Sequence, residues 1–206
     1  INPEGVALAL THPAEIGDFN VDLFLNSGLL ILDESSGDTS DPTLFYTQPG
    51  AKIKLTDSLV LKGALTYYEF NSVQNGTLDG TAGTNMLDGN GGLAYDYDSF
   101  QPLAELVIKN PFDGIVEQAS LFGSYIHNID DDAENAEQNV GWQAGVKVGH
   151  KKVSKPKQWQ AKYLYTYLEQ DAFPDPFPDS DRLGGDTNVK GHEVIFAYGL
   201  NKNVPL

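Results

Sequence analysis

Strict alternation of apolar and polar residues is the feature that most restricts how this chain can fold, because a period of two belongs to a β-strand with one apolar face and one polar face. The segment "VGWQAGVKVGHKK", residues 140–152, illustrates the pattern. One parity holds Trp142, Ala144, Val146 and Val148, and the other holds Gln143, Gly145, Lys147 and Gly149. We predict eight such strands, at residues 18–32, 44–56, 59–71, 99–109, 115–128, 140–152, 158–170 and 189–202, after a partial one at 5–11. Each is about the length that a tilted strand needs to cross a bilayer, roughly 9 to 11 residues.

The connections between these strands alternate between short and long. The short ones are residues 12–17, 57–58, 110–114, 153–157 and 203–205, and the long ones begin at Asp33, Ser72, Ile129 and Asp171. In an up-and-down meander this order gathers all long loops at one edge, as in outer-membrane barrels. A soluble sandwich has no physical reason to sort its loops in this way. The sequence therefore predicts an all-β fold, either an antiparallel up-and-down transmembrane β-barrel or a partial barrel of about eight to nine strands from a larger one.

The composition argues against several classes of function. The formal net charge is −16, with 13 basic and 29 acidic residues, whereas a nucleic-acid partner requires a basic face. The chain has no cysteine, and it contains no phosphate loop, dinucleotide fingerprint or Gly-x-Ser-x-Gly elbow. We therefore expect neither an enzyme nor a bound cofactor. Apolar runs such as residues 29–32 are far shorter than the roughly 20 residues of a spanning helix.

Periodicity alone does not decide which face of the strands meets water. In a soluble barrel the apolar parity fills the centre, whereas in a membrane barrel it faces lipid and the polar parity lines the lumen. Tyrosine and tryptophan favour membrane interfaces, and many of those in the strands occupy the apolar parity. These are Trp142, Trp159, Tyr67, Tyr125, Tyr163, Tyr165, Tyr167 and Tyr198. The general preference of aromatic residues for strands explains the same placement without a membrane.

The membrane interpretation predicts a charged lumen. Its candidate pore-lining residues are Asp22, Lys52, Lys54, Lys62, Glu105, Lys147 and Lys162. A water-filled lumen accommodates such groups, whereas a closed soluble core would require a partner for every lysine. The alternative is that these lysines are ordinary solvated residues on the outside of a soluble sheet.

The long stretch at residues 72–98 is a candidate functional element. A loop of this length can fold into a barrel and narrow its pore, and charges across such a constriction set ion preference. In that arrangement Asp79, Asp88, Asp96 and Asp98 would face the lumen lysines. A glycine-rich loop on the surface is an equally acceptable interpretation.

The loop "FPDPFPDSDRLGGDTN" is a weak candidate for calcium binding, because oxygen-rich flexible loops bind this ion. Its acidic residues are Asp175, Asp179, Asp181 and Asp186. No glutamate closes the loop as in an EF-hand, so a solvated, turn-rich loop is the favoured interpretation. The four histidines are scattered and indicate no zinc site.

The stretch "VGWQAGVKVGHKKVSKPKQWQAKYLYTYLEQDAFPDPFPDSDRLGGDTNVKGHEVIFAYGL", residues 140–200, resembles the carboxy-terminal half of the putative porin family of Gram-negative outer membranes. The segment "INPEGVAL" resembles an internal part of the same family. The resemblance is sharpest at Trp142–Gly145 and in the loop from Asp179 to Asn188. Family members carry further strands before and after these segments. The resemblance therefore implies that residues 1–206 are a single β-barrel domain, incomplete at both ends.

Two functions follow from these observations. The resemblance implies an outer-membrane porin that passes small hydrophilic solutes or ions by passive diffusion, contacts lipid and assembles as a homotrimer. The rival is a secreted soluble β-sheet protein that binds a ligand, such as a carbohydrate, through its acidic and aromatic loops. A soluble protein would need no amphiphile to stay dispersed and would conduct no ions.

Overall fold

The chain folds into one antiparallel sheet whose strands follow their order in the sequence. The computed structural model describes residues 4–33, 41–112, 116–130, 138–179, 185–201 and 204–205. The strands are β1 Glu4–Ile16, β2 Phe19–Ile31, β3 Thr43–Lys54, β4 Leu59–Asn71, β5 Asp98–Lys109, β6 Gln118–Asn128, β7 Val140–Gly149, β8 Trp159–Leu168, β9 Val189–Asn201 and β10 Val204–Pro205. The all-β, up-and-down prediction is confirmed. Over the described residues no ladder joins β1 to the last strands, so the sheet is open, as a partial barrel would be.

The predicted strands match the observed ones closely, with one clear correction in β1. The partial strand predicted at residues 5–11 extends through Ile16, and the predicted connection at 12–17 shrinks to a turn at Gly17 and Asp18. Pro13 obscured the strand in the sequence, because proline cannot donate a hydrogen bond to a ladder. It is tolerated here because β1 lies at an edge of the described sheet. Gly17 makes the tight turn with a φ of 59°.

The two parities of the strands form two chemically different faces. On the first, which we call the apolar face, Leu23 and Val146 are exposed, and Val6 and Val194 are 72% and 75% exposed. The opposite parity, which we call the polar face, carries Lys52, Lys147 and the other charged residues in the middle of the strands. Because the strands pair in register, each face is continuous from β1 to β9. Among the described residues, the apolar face is therefore not sealed in a dry centre.

A hydrophobic core forms where two long loops cover one end of the polar face. These loops are residues 72–97, between β4 and β5, and residues 169–179, after β8. The core consists of Leu32, Leu44, Phe70, Val73, Leu78, Leu93 and Tyr97. Phe70 lies at its centre, with the rings of Phe173 and Phe177 packed edge-on against it at 5.3 and 5.2 Å between centroids. The loops are thus fixed against the polar face by apolar packing, and they leave the apolar face uncovered.

No helix among the described residues has the length and apolar character needed to cross a membrane.

Candidate functional site

The registers of the strands line up charged residues in a row across the polar face. Asp22 on β2 pairs with Lys52 on β3, Lys52 with Lys62 on β4, and Lys62 with Glu105 on β5. The ammonium group of Lys52 lies 3.0 Å from the carboxylate of Asp22, and that pair is half exposed. All seven candidate pore-lining residues lie on this one face. That they line a pore stays a prediction.

Four of the seven meet in one depression of about 540 Å³, which we call the lysine depression. Its charged members are Lys62, Glu105, Lys147 and Lys162. Glu105 lies opposite Lys62 in the sheet and 3.7 Å from the ammonium group of Lys147. The other candidates lie outside the depression, with Lys52 held by Asp22 and Lys54 held by Asp57 at 2.8 Å.

The lysine depression carries a surplus of positive charge, three lysines against one glutamate. Lys147 also lies directly opposite Lys162, and like charges in this position destabilise a sheet. Within the described part of the chain, neither Lys62 nor Lys162 forms an ion pair with a carboxylate. An arrangement that costs stability and leaves cations unpaired is suited to attracting anions.

Each of these two lysines makes a cation–π contact with an aromatic ring on the polar face. The ammonium group of Lys62 lies 5.8 Å from the ring centre of Phe24, and that of Lys162 lies 5.6 Å from Phe122. Each ring extends over a glycine of the neighbouring strand, Phe24 over Gly50 and Phe122 over Gly145. A β-carbon at either glycine would collide with the ring. These cation–π contacts hold each ammonium group at its ring and leave its charge uncompensated.

The two long loops are tied to each other above this face by buried carboxylates. The Oδ2 atom of Asp175, whose residue is 2% exposed, accepts hydrogen bonds from the backbone N–H groups of Ala82 and Thr84 at 3.1 and 2.9 Å. The hydroxyl of Thr81 donates to the same oxygen at 3.0 Å. Hydrogen bonds to a charged acceptor are stronger than neutral ones, so Asp175 clamps the first loop to the second.

A second buried carboxylate, Asp171, reinforces this junction. Its Oδ1 atom accepts hydrogen bonds from the backbone N–H of Met86 at 2.9 Å and from the hydroxyl of Tyr97 at 3.2 Å. Burial raises the pKa of Asp171 above its ordinary value, although both hydrogen bonds act in the opposite direction. The pKa of Tyr97 is also raised, by burial and by the nearby Asp171.

Asn128, at the end of β6, anchors both loops to the sheet. Its side-chain amide donates to the backbone carbonyls of Asp96 and Asp171, each at 3.1 Å. Ser99 at the start of β5 donates to the carbonyl of Ala172 at 3.2 Å. The loops and the polar face therefore form one hydrogen-bonded unit.

Comparison with known proteins identifies the family. A family model described as "Putative porin" matches residues 90–206, more than half of the chain. The chain belongs to this porin family. Neither a curated protein nor a solved structure matches the chain. The family resemblance predicted from residues 140–200 is thus confirmed. The match includes Glu105, Lys147 and Lys162, as well as the loop with Asp171 and Asp175.

The structure of this porin-family chain corrects one expectation about its loops. The loop at residues 173–188 was expected to be solvated, and over its described residues 173–179 this is wrong, because Pro174 and Asp175 are buried. Its two phenylalanines, Phe173 and Phe177, were the signal that could have indicated packing, since aromatic residues in an acidic loop have little reason to stay in water. Their partners on β4 and in the first loop are too distant in sequence to be identified from pattern.

The acidic residues of the first loop have different partners, and they do not all face the lysines of this porin-family chain. Asp88 caps its own turn by accepting from the N–H groups of Asn90 and Gly92, which lowers its pKa. Asp98 belongs to the apolar parity of β5, lies opposite Glu69 and accepts a hydrogen bond from Tyr67. For Asp98 the expectation that it would face the lysines is therefore wrong, whereas for Asp88 it stays a prediction. Asp79 is exposed within the loop.

The weak calcium candidate gains no support from the geometry. Of its four residues, Asp175 uses one carboxylate oxygen to accept hydrogen bonds from the first loop. Asp179 is exposed and Asp186 is half-buried. Asp181 lies outside the described residues. In the described ranges no three His, Asp or Glu side chains form a group that could hold a metal ion.

Proposed function

We propose that this chain forms part of the wall of an outer-membrane porin, a water-filled channel through which small hydrophilic solutes or ions diffuse passively. In this proposal the apolar face contacts lipid and the polar face lines the channel, and the protein catalyses no reaction. The observation that carries the proposal is the segregation of the two faces, since continuous apolar surface lies on the side without loops. Membership of the porin family supports the same function.

The chemistry of the apolar face supports contact with lipid. Val6, Leu8, Leu121, Val194 and Phe196 are all more than half exposed, on strands from one end of the sheet to the other. Soluble proteins rarely expose apolar surface of this extent, because it promotes association in water. A lipid environment removes that cost. The secreted soluble binder is therefore the weaker alternative.

The aromatic residues of the apolar face are suited to a membrane interface. Trp142 lies 5.2 Å from Tyr165 between ring centres, and Trp159 stacks on Phe196 at 6.5 Å. The hydroxyl of Tyr163 lies 2.7 Å from Nδ1 of His192, on the same face. Amphipathic rings of this kind favour the level of the lipid headgroups, where the ring meets apolar chains and the polar atom meets water.

The loops at residues 72–97 and 169–179 would narrow the channel. They pack on the face that would line it, and buried hydrogen bonds hold them there. Charge at a narrow point determines which ions pass. The surplus of lysine in the adjoining depression therefore favours anions, even though the whole chain has a formal net charge of −16.

Conductance of the full-length protein tests the proposal. Purified in detergent and added to a planar bilayer, the protein is expected to produce stepwise current increments that grow with salt concentration. It is also expected to aggregate when detergent is removed. A protein that stays dispersed without detergent and gives no current steps would contradict the proposal and favour the soluble binder. The homotrimer stays a prediction, which crosslinking in intact outer membranes would test.

A further inference from the structure

A second compartment lies beneath the loop after β8, against the polar face. It encloses about 230 Å³. The aromatic rings of Tyr68, Phe173 and Phe177 contribute one part of its lining, and Tyr68 meets Phe173 edge-on with their centroids 5.0 Å apart. We call this the aromatic compartment. Its apolar rings suit the flat body of a small organic molecule better than a hydrated inorganic ion.

The aromatic compartment adjoins the lysine depression. Gln101, Ser124 and Gln143 line both, so these side chains form a shared wall. The side-chain amide of Gln143 donates to the hydroxyl of Ser124 at 3.1 Å, which holds the wall in place. A molecule in the aromatic compartment would therefore have three lysines on the other side of a wall made of hydrogen-bonding groups.

The floor of the aromatic compartment contains a polar group without a partner. Thr166, opposite Gln143 in the sheet, lines the compartment and is 8% exposed. Its hydroxyl is buried, and no hydrogen bond reaches it from the described residues. A buried polar group without a partner costs free energy, and rotation of the Thr166 side chain toward a ligand oxygen would recover part of that cost.

From this adjacency we propose that the two compartments bind one solute, a small organic carboxylate with an apolar ring as its body. The ring occupies the aromatic compartment, and the carboxylate lies at the shared amides, on the side that faces Lys147 and Lys162. The inference rests on the proposed channel function, since it assigns the solute class for which the constriction is selective.

The charges of the site favour an anion over a neutral sugar. A neutral sugar could accept hydrogen bonds from Lys147 and Lys162, but it would not compensate their charge. These two lysines lie opposite each other at a cost in stability, and a carboxylate at the shared wall would offset part of that repulsion. Asp179 lines the aromatic compartment but not the lysine depression, so the site has an acidic side and a basic side.

The test uses benzoate as the probe, with the full-length protein in detergent for calorimetry and in planar bilayers for current block. Benzoate is expected to bind and to interrupt the current. Acetate, which lacks the ring, and benzyl alcohol, which lacks the charge, are expected to bind at least about tenfold more weakly, as for the loss of a charged hydrogen bond or of ring burial. Equal binding of benzyl alcohol or glucose would overturn the inference.

Three substitutions locate the site. Phe177→Ala removes a ring, Lys147→Gln removes a cation, and Gln143→Glu puts a negative charge in the shared wall with little change of volume. Each is expected to weaken benzoate at least about tenfold. Lys152→Gln is the matched control, because Lys152 is exposed in the β7–β8 turn and its loss is expected to leave benzoate binding unchanged. Phe177→Ala also disturbs packing on Phe70 and could prevent folding. In that case Lys147→Gln and Gln143→Glu provide the test.

The outcomes separate this inference from the channel itself. Current steps without benzoate binding would overturn the inference and leave the porin function standing. Benzoate binding that is lost in the variants, without any current steps, would support the binding site and overturn the channel. Binding that survives both Lys147→Gln and Gln143→Glu would place the probe elsewhere and overturn the inference.

Discussion

The hydroxyl of Tyr97 donates a 3.2 Å hydrogen bond to Oδ1 of Asp171, across 74 residues of sequence and between two different loops. Tyr97 is fully buried and Asp171 is 1% exposed. A contact of this kind forms only when both loops are docked on the polar face. It therefore provides a local measure of whether the proposed constriction is in place.

The first prediction concerns pH. Burial raises the pKa of Asp171 in the docked state above its value in an undocked loop, which is about 3.9. The neutral form is therefore the one that docking favours. Its contribution to stability is fully present below the undocked pKa and is lost as the pH rises through the docked pKa. We expect the loops to dock more tightly as the pH falls from neutral toward the ordinary pKa of aspartate.

Hydrogen exchange of the loop amides, corrected for the intrinsic effect of pH, measures this docking. Protection of the Met86 amide, which donates to Asp171, is expected to rise on acidification. Asp171→Asn keeps an oxygen acceptor but cannot ionise, so this variant is expected to lose the pH dependence. A pH dependence that persists in Asp171→Asn would show that another group is responsible.

The second prediction concerns the clamp at Asp175. In Asp175→Asn, an amide replaces the carboxylate that accepts from Ala82 and Thr84, so charge-assisted hydrogen bonds become neutral ones. Each hydrogen bond to a charged group contributes roughly 1.5–3 kcal/mol, and we expect the first loop to exchange its amide hydrogens about tenfold faster or more. Asp79→Asn is the control, because Asp79 is exposed in the same loop. Equal exchange in the two variants would contradict the role of Asp175.

The third prediction concerns ion preference. Replacing Lys147 and Lys162 by glutamate changes the lysine depression from three cations and one anion to one cation and three anions. We expect the reversal potential in a salt gradient to move toward cation preference, most strongly at low salt, where charges are screened least. Lys152→Glu in the exposed turn should leave the preference unchanged. The polar face would not line the conduction path if the double variant kept the original preference.

The fourth prediction concerns the apolar face. Leu121 is 55% exposed on β6, and Leu121→Arg would place a cation against lipid. Such a substitution costs roughly 2–4 kcal/mol near the middle of a membrane. Gln118→Arg, on the opposite face of the same strand and outside both compartments, should cost less, because its side chain would meet water. Urea unfolding from lipid vesicles measures both, and equal losses would argue against the proposed orientation of the sheet.

The strands and their faces were predictable because the information is local. A period of two is visible in any ten residues, and the parity of Val146 and Lys147 needs no knowledge of the neighbouring strand. Which lysines come together depends on the register between neighbouring strands, and the sequence of a single strand does not specify that register. For that reason the sequence placed Lys54 and Lys162 in one set, whereas the sheet places Lys162 in the depression and pairs Lys54 with Asp57.

The specific contacts that dock the loops could not be predicted from sequence patterns. The hydroxyl groups of Thr84 and Thr187 lie 2.9 Å apart although 103 residues separate them. Acidic residues in a loop usually remain solvated, so the sequence predicted that Asp171 and Asp175 would be exposed. What overrides that tendency is a set of specific donors, including Tyr97 and the backbone N–H groups, which become available only in the folded chain.

The glycines beneath Phe24 and Phe122 have a consequence for how solutes would travel. Because each ring extends over Gly50 or Gly145, it stays close to the sheet and carries a lysine ammonium along the wall. A solute passing this point would meet charge without meeting a bulky obstruction. A larger residue at either glycine would tip its ring into the water path, so throughput would fall while the sign of the preferred ion stayed the same.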